Sequence, residues 1–131
     1  MKSLIVEDEF TSRILLQHLL APYGVCHIAV SGEEAVDAFR MALAEAAPYD
    51  LICMDIRMPG IDGVEAVRQI RAEEIKDGVL SSNGVKIIMQ TSVDCPKDVV
   101  RSFSALCDGY LVKPIGKISL REEIRTMGLI E

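Results

Sequence analysis

The sequence predicts an α/β domain of the (βα)5 type, five strands alternating with five helices around a parallel sheet. Two patterns carry that expectation. Short apolar runs recur at five places, and most lack the polar alternation of a half-exposed strand, as a sheet covered on both faces requires. Between them lie longer segments with apolar residues at helical spacing, three of them marked by capping-box residues. A chain of 131 residues suits one such unit, so residues 1–131 are expected to form a single domain. Right-handed crossovers then put helices on both sides of the sheet.

The elements follow in order. Leu4-Ile5-Val6 is the first strand. The first helix runs from about Phe10 to Leu20, with Phe10, Ile14 and Leu15 on one side, until Pro22 and Gly24 end it. Val25 to Val30 is the second strand. Ser31-x-x-Glu34 opens the second helix, whose core stripe is Val36, Phe39 and Leu43. Leu51 to Met54 is the third strand, and Asp62-x-x-Glu65 opens a third helix that carries Val64 and Val67. A polar loop, Lys76 to Gly84, leads to the fourth strand, Val85 to Met89, near the opposite edge from the strand ends discussed below. Pro96 starts a fourth helix with Val99, Phe103 and Leu106 facing inward. Tyr110 to Val112 is the fifth strand. Ser119-x-x-Glu122 marks a fifth helix, from about Leu120 to Met127, before Gly128.

Composition narrows the function. Half the residues are hydrophobic and 26% are charged, an ordinary globular balance. A net charge of −6 argues against direct nucleic-acid binding. No apolar run approaches the roughly 20 residues that span a bilayer, and the start resembles no secretion signal, so no membrane insertion and a cytoplasmic location are expected. Cys26, Cys53, Cys95 and Cys107 have no metal-type spacing and read as buried free thiols. His18 and His27 are isolated and read as structural.

Polar residues fall where the strands stop. Glu7-Asp8-Glu9 follow the first strand, Asp55 the third, Thr91-Ser92 the fourth and Lys113-Pro114 the fifth. In an open parallel sheet all of these lie at the carboxyl edge, where such folds bind ligands. Clustered carboxylates repel one another and call for a cation, and a hard ion such as Mg²⁺ takes one or two of them plus water. With a carboxylate nucleophile, a lysine and a hydroxyl beside the ion, these are the parts for phosphoryl transfer.

Those residues closely resemble the receiver domain of two-component response regulators, over essentially the whole chain. The acidic pair Glu7-Asp8, the stretch Met54-Asp55-Ile56-Arg57-Met58-Pro59-Gly60, Thr91 and Lys113-Pro114 match its pattern in order. The resemblance, to the chemotaxis-regulator type in particular, implies a flavodoxin-like sheet in the order 2-1-3-4-5. It implies that Asp55 accepts a phosphoryl group from a histidine kinase or a histidine phosphotransfer protein. Asp8 and Asp55 would bind Mg²⁺ directly (Mn²⁺ being a possible substitute), Glu7 mainly through water, and the Arg57 backbone carbonyl would be a further ligand. Lys113 and Thr91 would hold the phosphoryl group, and a cis Lys113-Pro114 bond is implied. Thr91 and Tyr110 would carry a switch to the face formed by helix four, strand five and helix five, for a downstream protein or a phosphorylation-dependent homodimer. Such a protein catalyses only its own phosphorylation and dephosphorylation.

Three departures and two alternatives complete the reading. Glu7 replaces the commoner aspartate, and Arg57 and Val93 occupy the positions that tune phosphoryl lifetime in the family. The Lys76 to Gly84 loop looks longer than usual and is expected to have no role at the site. A stand-alone receiver is expected, the alternative being a receiver fragment of a larger regulator or hybrid kinase. A haloacid-dehalogenase-type phosphatase also uses an aspartyl nucleophile and Mg²⁺, but Arg57 stands where it needs a second aspartate. A flavin-binding domain is disfavoured because the loop after the first strand is acidic. Lys117, Arg121 and Arg125 recur every four residues, as do Lys97 and Arg101; a solvated helix face and a docking face for an acidic partner or second copy both fit them.

Overall fold

The computed structural model describes residues 1–79, 83–92 and 106–131. In these the elements are β1 (Lys2–Val6), α1 (Phe10–Leu20), a 3₁₀ turn (Ala21–Tyr23), β2 (Val25–Ala29), α2 (Gly32–Ala44), β3 (Leu51–Asp55), α3 (Gly63–Lys76), β4 (Lys86–Thr91), β5 (Gly109–Val112) and a C-terminal helix (Lys117–Thr126). All strand pairings are parallel, in the order β2-β1-β3-β4-β5. The expected fourth helix, with Pro96, Val99 and Phe103, lies outside the described residues, as do Val93, Cys95, Lys97 and Arg101.

The unbroken apolar strands are explained by two cores. Leu4, Val6, Ile52, Met54, Ile87 and Met89 face Val36 and Phe39 of α2 and Val67 and Ile70 of α3. The alternate residues Ile5, Leu51, Cys53 and Ile88 face Leu16 and Leu20 of α1 and Leu120 and Ile124 of the C-terminal helix. Each fully buried side chain of this size contributes about 1.5–3 kcal/mol by leaving water, so β1, β3 and β4 form the foundation of the fold. Burial on both faces does not extend to the outer strands. Val25 and Ile28 on β2, and Tyr110 and Val112 on β5, are exposed because each edge strand has a neighbour on one side only.

Three local expectations need correction. On α1 the buried side chains are Leu16 and Leu20, whereas Phe10, Ile14 and Leu15 are exposed. Apolar residues surround this helix, so the pattern does not single out one face. The C-terminal helix begins a turn earlier than expected, with Gly116 as its N-cap and no side-chain capping bond, leaving Ser119 inside the helix. Buried Ile115 already returns the chain to the core, where it shares a cluster with Leu120 and Ile124 of the helix. Finally, Asp55 and Thr91 are the last residues of their strands rather than the first beyond them. The other two caps are present: Ser31 accepts the Glu34 amide at 3.1 Å, and Asp62 that of Glu65 at 3.0 Å.

An ionic network around the buried Glu74 closes the amino edge of the sheet. Glu74 on α3 accepts from the Arg71 guanidinium and from the Val85 amide, both at 2.7 Å. Arg71 also donates to the carbonyls of Leu106 (2.9 Å) and Val85 (2.8 Å) and lies 3.2 Å from Asp108. Asp108 in turn accepts the Ile87 amide at 2.9 Å. The approaches to β4 and β5 are thus tied to one helix.

Candidate phosphoacceptor site

Strand register assembles the site. β1 pairs Val6 with Met54, β3 pairs Asp55 with Gln90, and β4 pairs Thr91 with Val112, so the carboxyl ends of β1, β3, β4 and β5 meet at one edge. There Glu7, Asp8, Asp55, Arg57 and Lys113 line one cleft of about 560 Å³. The residue after Asp55 is held through both its backbone groups: the Ile56 amide donates to Gln90 O at 3.3 Å, and the Gly63 amide donates to Ile56 O at 2.9 Å. A Cβ on Gly63 would collide with the Asp55 carbonyl oxygen, so the first turn of α3 rests on the Asp55 backbone. Only glycine permits that approach.

The charges are close and poorly solvated. Glu7, Asp8 and Asp55 offer carboxylate oxygens that lie within 4.8 Å of one another. Glu7 and Asp55 are buried, while Asp8 opens to solvent. The Lys113 ammonium lies 2.8 Å from Glu7 Oε2 and 3.4 Å from Asp55 Oδ2. Glu7 also receives the Glu9 amide at 3.2 Å, and the Arg57 amide approaches Asp55 Oδ1 at 3.4 Å. Burial, and then the neighbouring Glu7 charge, raise the Asp55 carboxyl to about 7 despite the opposing pull of Lys113. Burial works against the Lys113 ammonium, but Glu7 and Asp55 outweigh it and its pKa is raised. One lysine thus serves two carboxylates. The excess negative charge and the shared oxygen donors fit a hard divalent cation.

The remaining predicted residues are placed as follows. Thr91 is buried at the end of β4, and its carbonyl accepts the Lys113 amide at 2.7 Å. At that strand Gln90 and Ser92 form the cleft wall. Lys113-Pro114 is cis. Tyr110 sits on the outer strand, 41% exposed and away from the cleft lining. Val93 falls outside the described residues. Gln90 was not anticipated. Its side chain is buried, and neither its amide nitrogen nor its oxygen has a hydrogen-bond partner. A signal existed: Gln90 continues an apolar run that is covered on both faces, two residues from buried Ile88.

Of the thiols expected to be buried, Cys53 is, whereas Cys26 and Cys107 are partly exposed and Cys95 lies outside the described residues; His18 is exposed. Burial and the nearby Cys26 push the Cys53 thiol up to about 12. Burial raises Cys26 and Cys107 as well, and all three are unbridged. His27 pairs through Nδ1 with the Tyr49 hydroxyl at 2.7 Å. Among the described residues no helix is long and apolar enough to cross a membrane.

Comparison with known proteins agrees with this geometry. Residues 3–125 match the family model described as the response regulator receiver domain, and the chain belongs to that family. It is 37% identical over 120 residues to the two-component response regulator ORR41 of Oryza sativa subsp. japonica, covering 89% of this chain and 86% of the relative. It is 32% identical over 134 residues to probable histidine kinase 2 of Oryza sativa subsp. indica, covering 95% of this chain but spanning 12% of that relative's length. Among solved structures, the receiver domain of the Arabidopsis thaliana histidine kinase CKI1, complexed with Mg²⁺ and BeF₃⁻, superposes with a TM-score of 0.82 at 29% identity, covering 97% of this chain and 89% of that one. The receiver domain of Saccharomyces cerevisiae Ssk1, in a co-crystal structure with the histidine phosphotransfer protein Ypd1, gives 0.79 at 28% identity, covering 98% and 88%.

Proposed function

We propose that residues 1–131 act as one receiver domain, and that Asp55 accepts a phosphoryl group from a phosphohistidine of a histidine kinase or a histidine phosphotransfer protein. The placement of Lys113 between Glu7 and Asp55, in a cleft at the carboxyl edge of the sheet, is the observation that carries this reading. An Asp55 oxygen attacks phosphorus, the bond from phosphorus to the imidazole nitrogen breaks, and the imidazole keeps the electron pair and takes a proton from solvent. Glu7, Asp8, Asp55 and the Arg57 carbonyl would hold Mg²⁺ (or Mn²⁺ in its place), which when bound supplies charge neutralisation at the transferring oxygens. Lys113 and Thr91 steady the phosphoryl group once it is on Asp55.

The output is conformational rather than enzymatic turnover. Thr91 follows the phosphoryl oxygens, and Tyr110, exposed on β5, turns inward behind it. The surface of β5 and the C-terminal helix then changes its preference for a downstream protein or for a second copy. Arg57 and Val93 set the phosphoryl lifetime. The setting is the cytoplasm, where kinase and target meet. The span of 12% of a histidine kinase relative supports a second reading, in which the same chemistry serves a hybrid kinase or larger regulator.

The test is chemical. Incubation with Mg²⁺ and acetyl phosphate should add about 80 Da, one HPO₃, to the wild type. The adduct should be base-labile and missing from Asp55→Asn. An adduct of equal yield in Asp55→Asn would refute the assignment, and rapid turnover of phosphate esters without an adduct would indicate a phosphatase.

A further inference from the structure

The loop between β3 and α3 carries Arg57, and it is fastened to α2 by a contact that the chemistry above does not use. Two glycines let the chains meet. A Cβ on Gly32 would lie 2.6 Å from Ile61 Cγ1, and a Cβ on Gly60, at φ +80°, would lie 2.7 Å and 2.9 Å from the two Glu33 carboxylate oxygens. Into this close approach Glu33 places Oε1, which accepts the Ile61 amide at 3.0 Å across 28 positions of sequence. Glu33 stands in the first turn of α2, where the helix dipole favours a negative charge. Ile56 and Met58 are packed in the core, and the Gly63 amide bonds to Ile56. The far side of the loop, after Pro59-Gly60, is therefore held by the packing of Ile61 against Gly32 and the core and, through its backbone, by the Glu33 carboxylate.

We propose that Glu33 is a positioning residue for the cation site: by holding the Ile61 amide it fixes the course of residues 57–62, and with it the aim of the Arg57 carbonyl. This rests on the reading of Asp55 and Arg57 as cation ligands. The carboxylate acts through the loop backbone and touches neither the cation nor the phosphoryl group. Outer partners of metal ligands commonly govern affinity in this way.

Calorimetric titration of Mg²⁺ into the unphosphorylated protein tests it, with thermal melts alongside. Glu33→Ala should weaken Mg²⁺ roughly three- to tenfold, below the 10–100-fold typical of a group bonded directly to a ligand. Glu33→Gln, which keeps the acceptor and loses the charge, should restore most of the affinity. Asp37→Ala, an exposed carboxylate on the same helix, should match the wild type. Wild-type affinity in Glu33→Ala overturns the proposal, whether or not the melting point falls, because the clamp is then purely structural. Equal losses in Glu33→Gln and Glu33→Ala overturn it too, because long-range charge then explains the effect. If Glu33→Ala does not fold, Glu33→Asp, one methylene shorter, is read against the same outcomes. Undiminished Mg²⁺ binding in Asp55→Asn, or none in the wild type, removes the cation site itself and the proposal with it.

Discussion

At the scale of single residues, Asp55 is held in a form that opposes its own ionisation. In an unfolded chain its carboxyl titrates near 3.8, and in the fold near 7. Between those values the folded protein keeps a proton that the unfolded chain has lost. The stabilisation is therefore complete below about pH 4 and lost as pH rises through about 7. Asp55→Asn removes that dependence. Without divalent cations the variant should exceed the wild type by about 1–2 kcal/mol at pH 8, the full shift being reduced by solvent reaching the cleft. Urea melts at about pH 5 and pH 8 check this, and a difference that does not change with pH counts against it. Glu7, Asp8, Asp55, Thr91 and Lys113 were legible in the sequence because each follows or ends an apolar run. Gln90 was not, since an amide at a strand end reads as any polar terminator although this strand is covered on both faces to its end. Nor was Glu33, whose partner lies 28 positions away.

Elements explain why Asp55 points where it does. The first turn of α3 packs on the Asp55 peptide through Gly63, leaving no room for a Cβ beside the carbonyl oxygen. Gly63→Ala meets backbone there rather than a pliable side chain. It should cost on the order of 3 kcal/mol and also slow acetyl phosphate labelling, as the strand end shifts. Equilibrium unfolding and a labelling time course measure the two effects, and a Gly63→Ala variant as stable as the wild type would disprove the contact. The α2 and α3 starts were legible because Ser31 and Asp62 both cap in the expected register. The C-terminal helix misled because Ser119 has the right spacing but the wrong place. The helix instead starts directly after Gly116, its N-cap, which follows buried Ile115. On α1, with apolar residues all round, packing decides which side is buried.

Taken whole, the molecule was the most legible level, because five apolar runs with helices between them leave few ways to cover a parallel sheet. What the sequence withheld was the ionic network of Arg71, Glu74 and Asp108, in which two residues of α3 meet a third from just before β5, 37 positions away. A cation that binds only the folded protein stabilises all of it by mass action. At Mg²⁺ about a hundredfold above its dissociation constant, unfolding should cost about 2.7 kcal/mol more. The gain should shrink in Asp55→Asn, and thermal melts with the same shift in both proteins would contradict it. The ionic network has a mechanical meaning as well. It pins the approaches to β4 and β5 at the end of the sheet remote from Asp55. Arg71, Glu74 and Asp108 thus anchor these two strands at the foot, while Thr91 and Val112 end them at the opposite edge, beside the cleft.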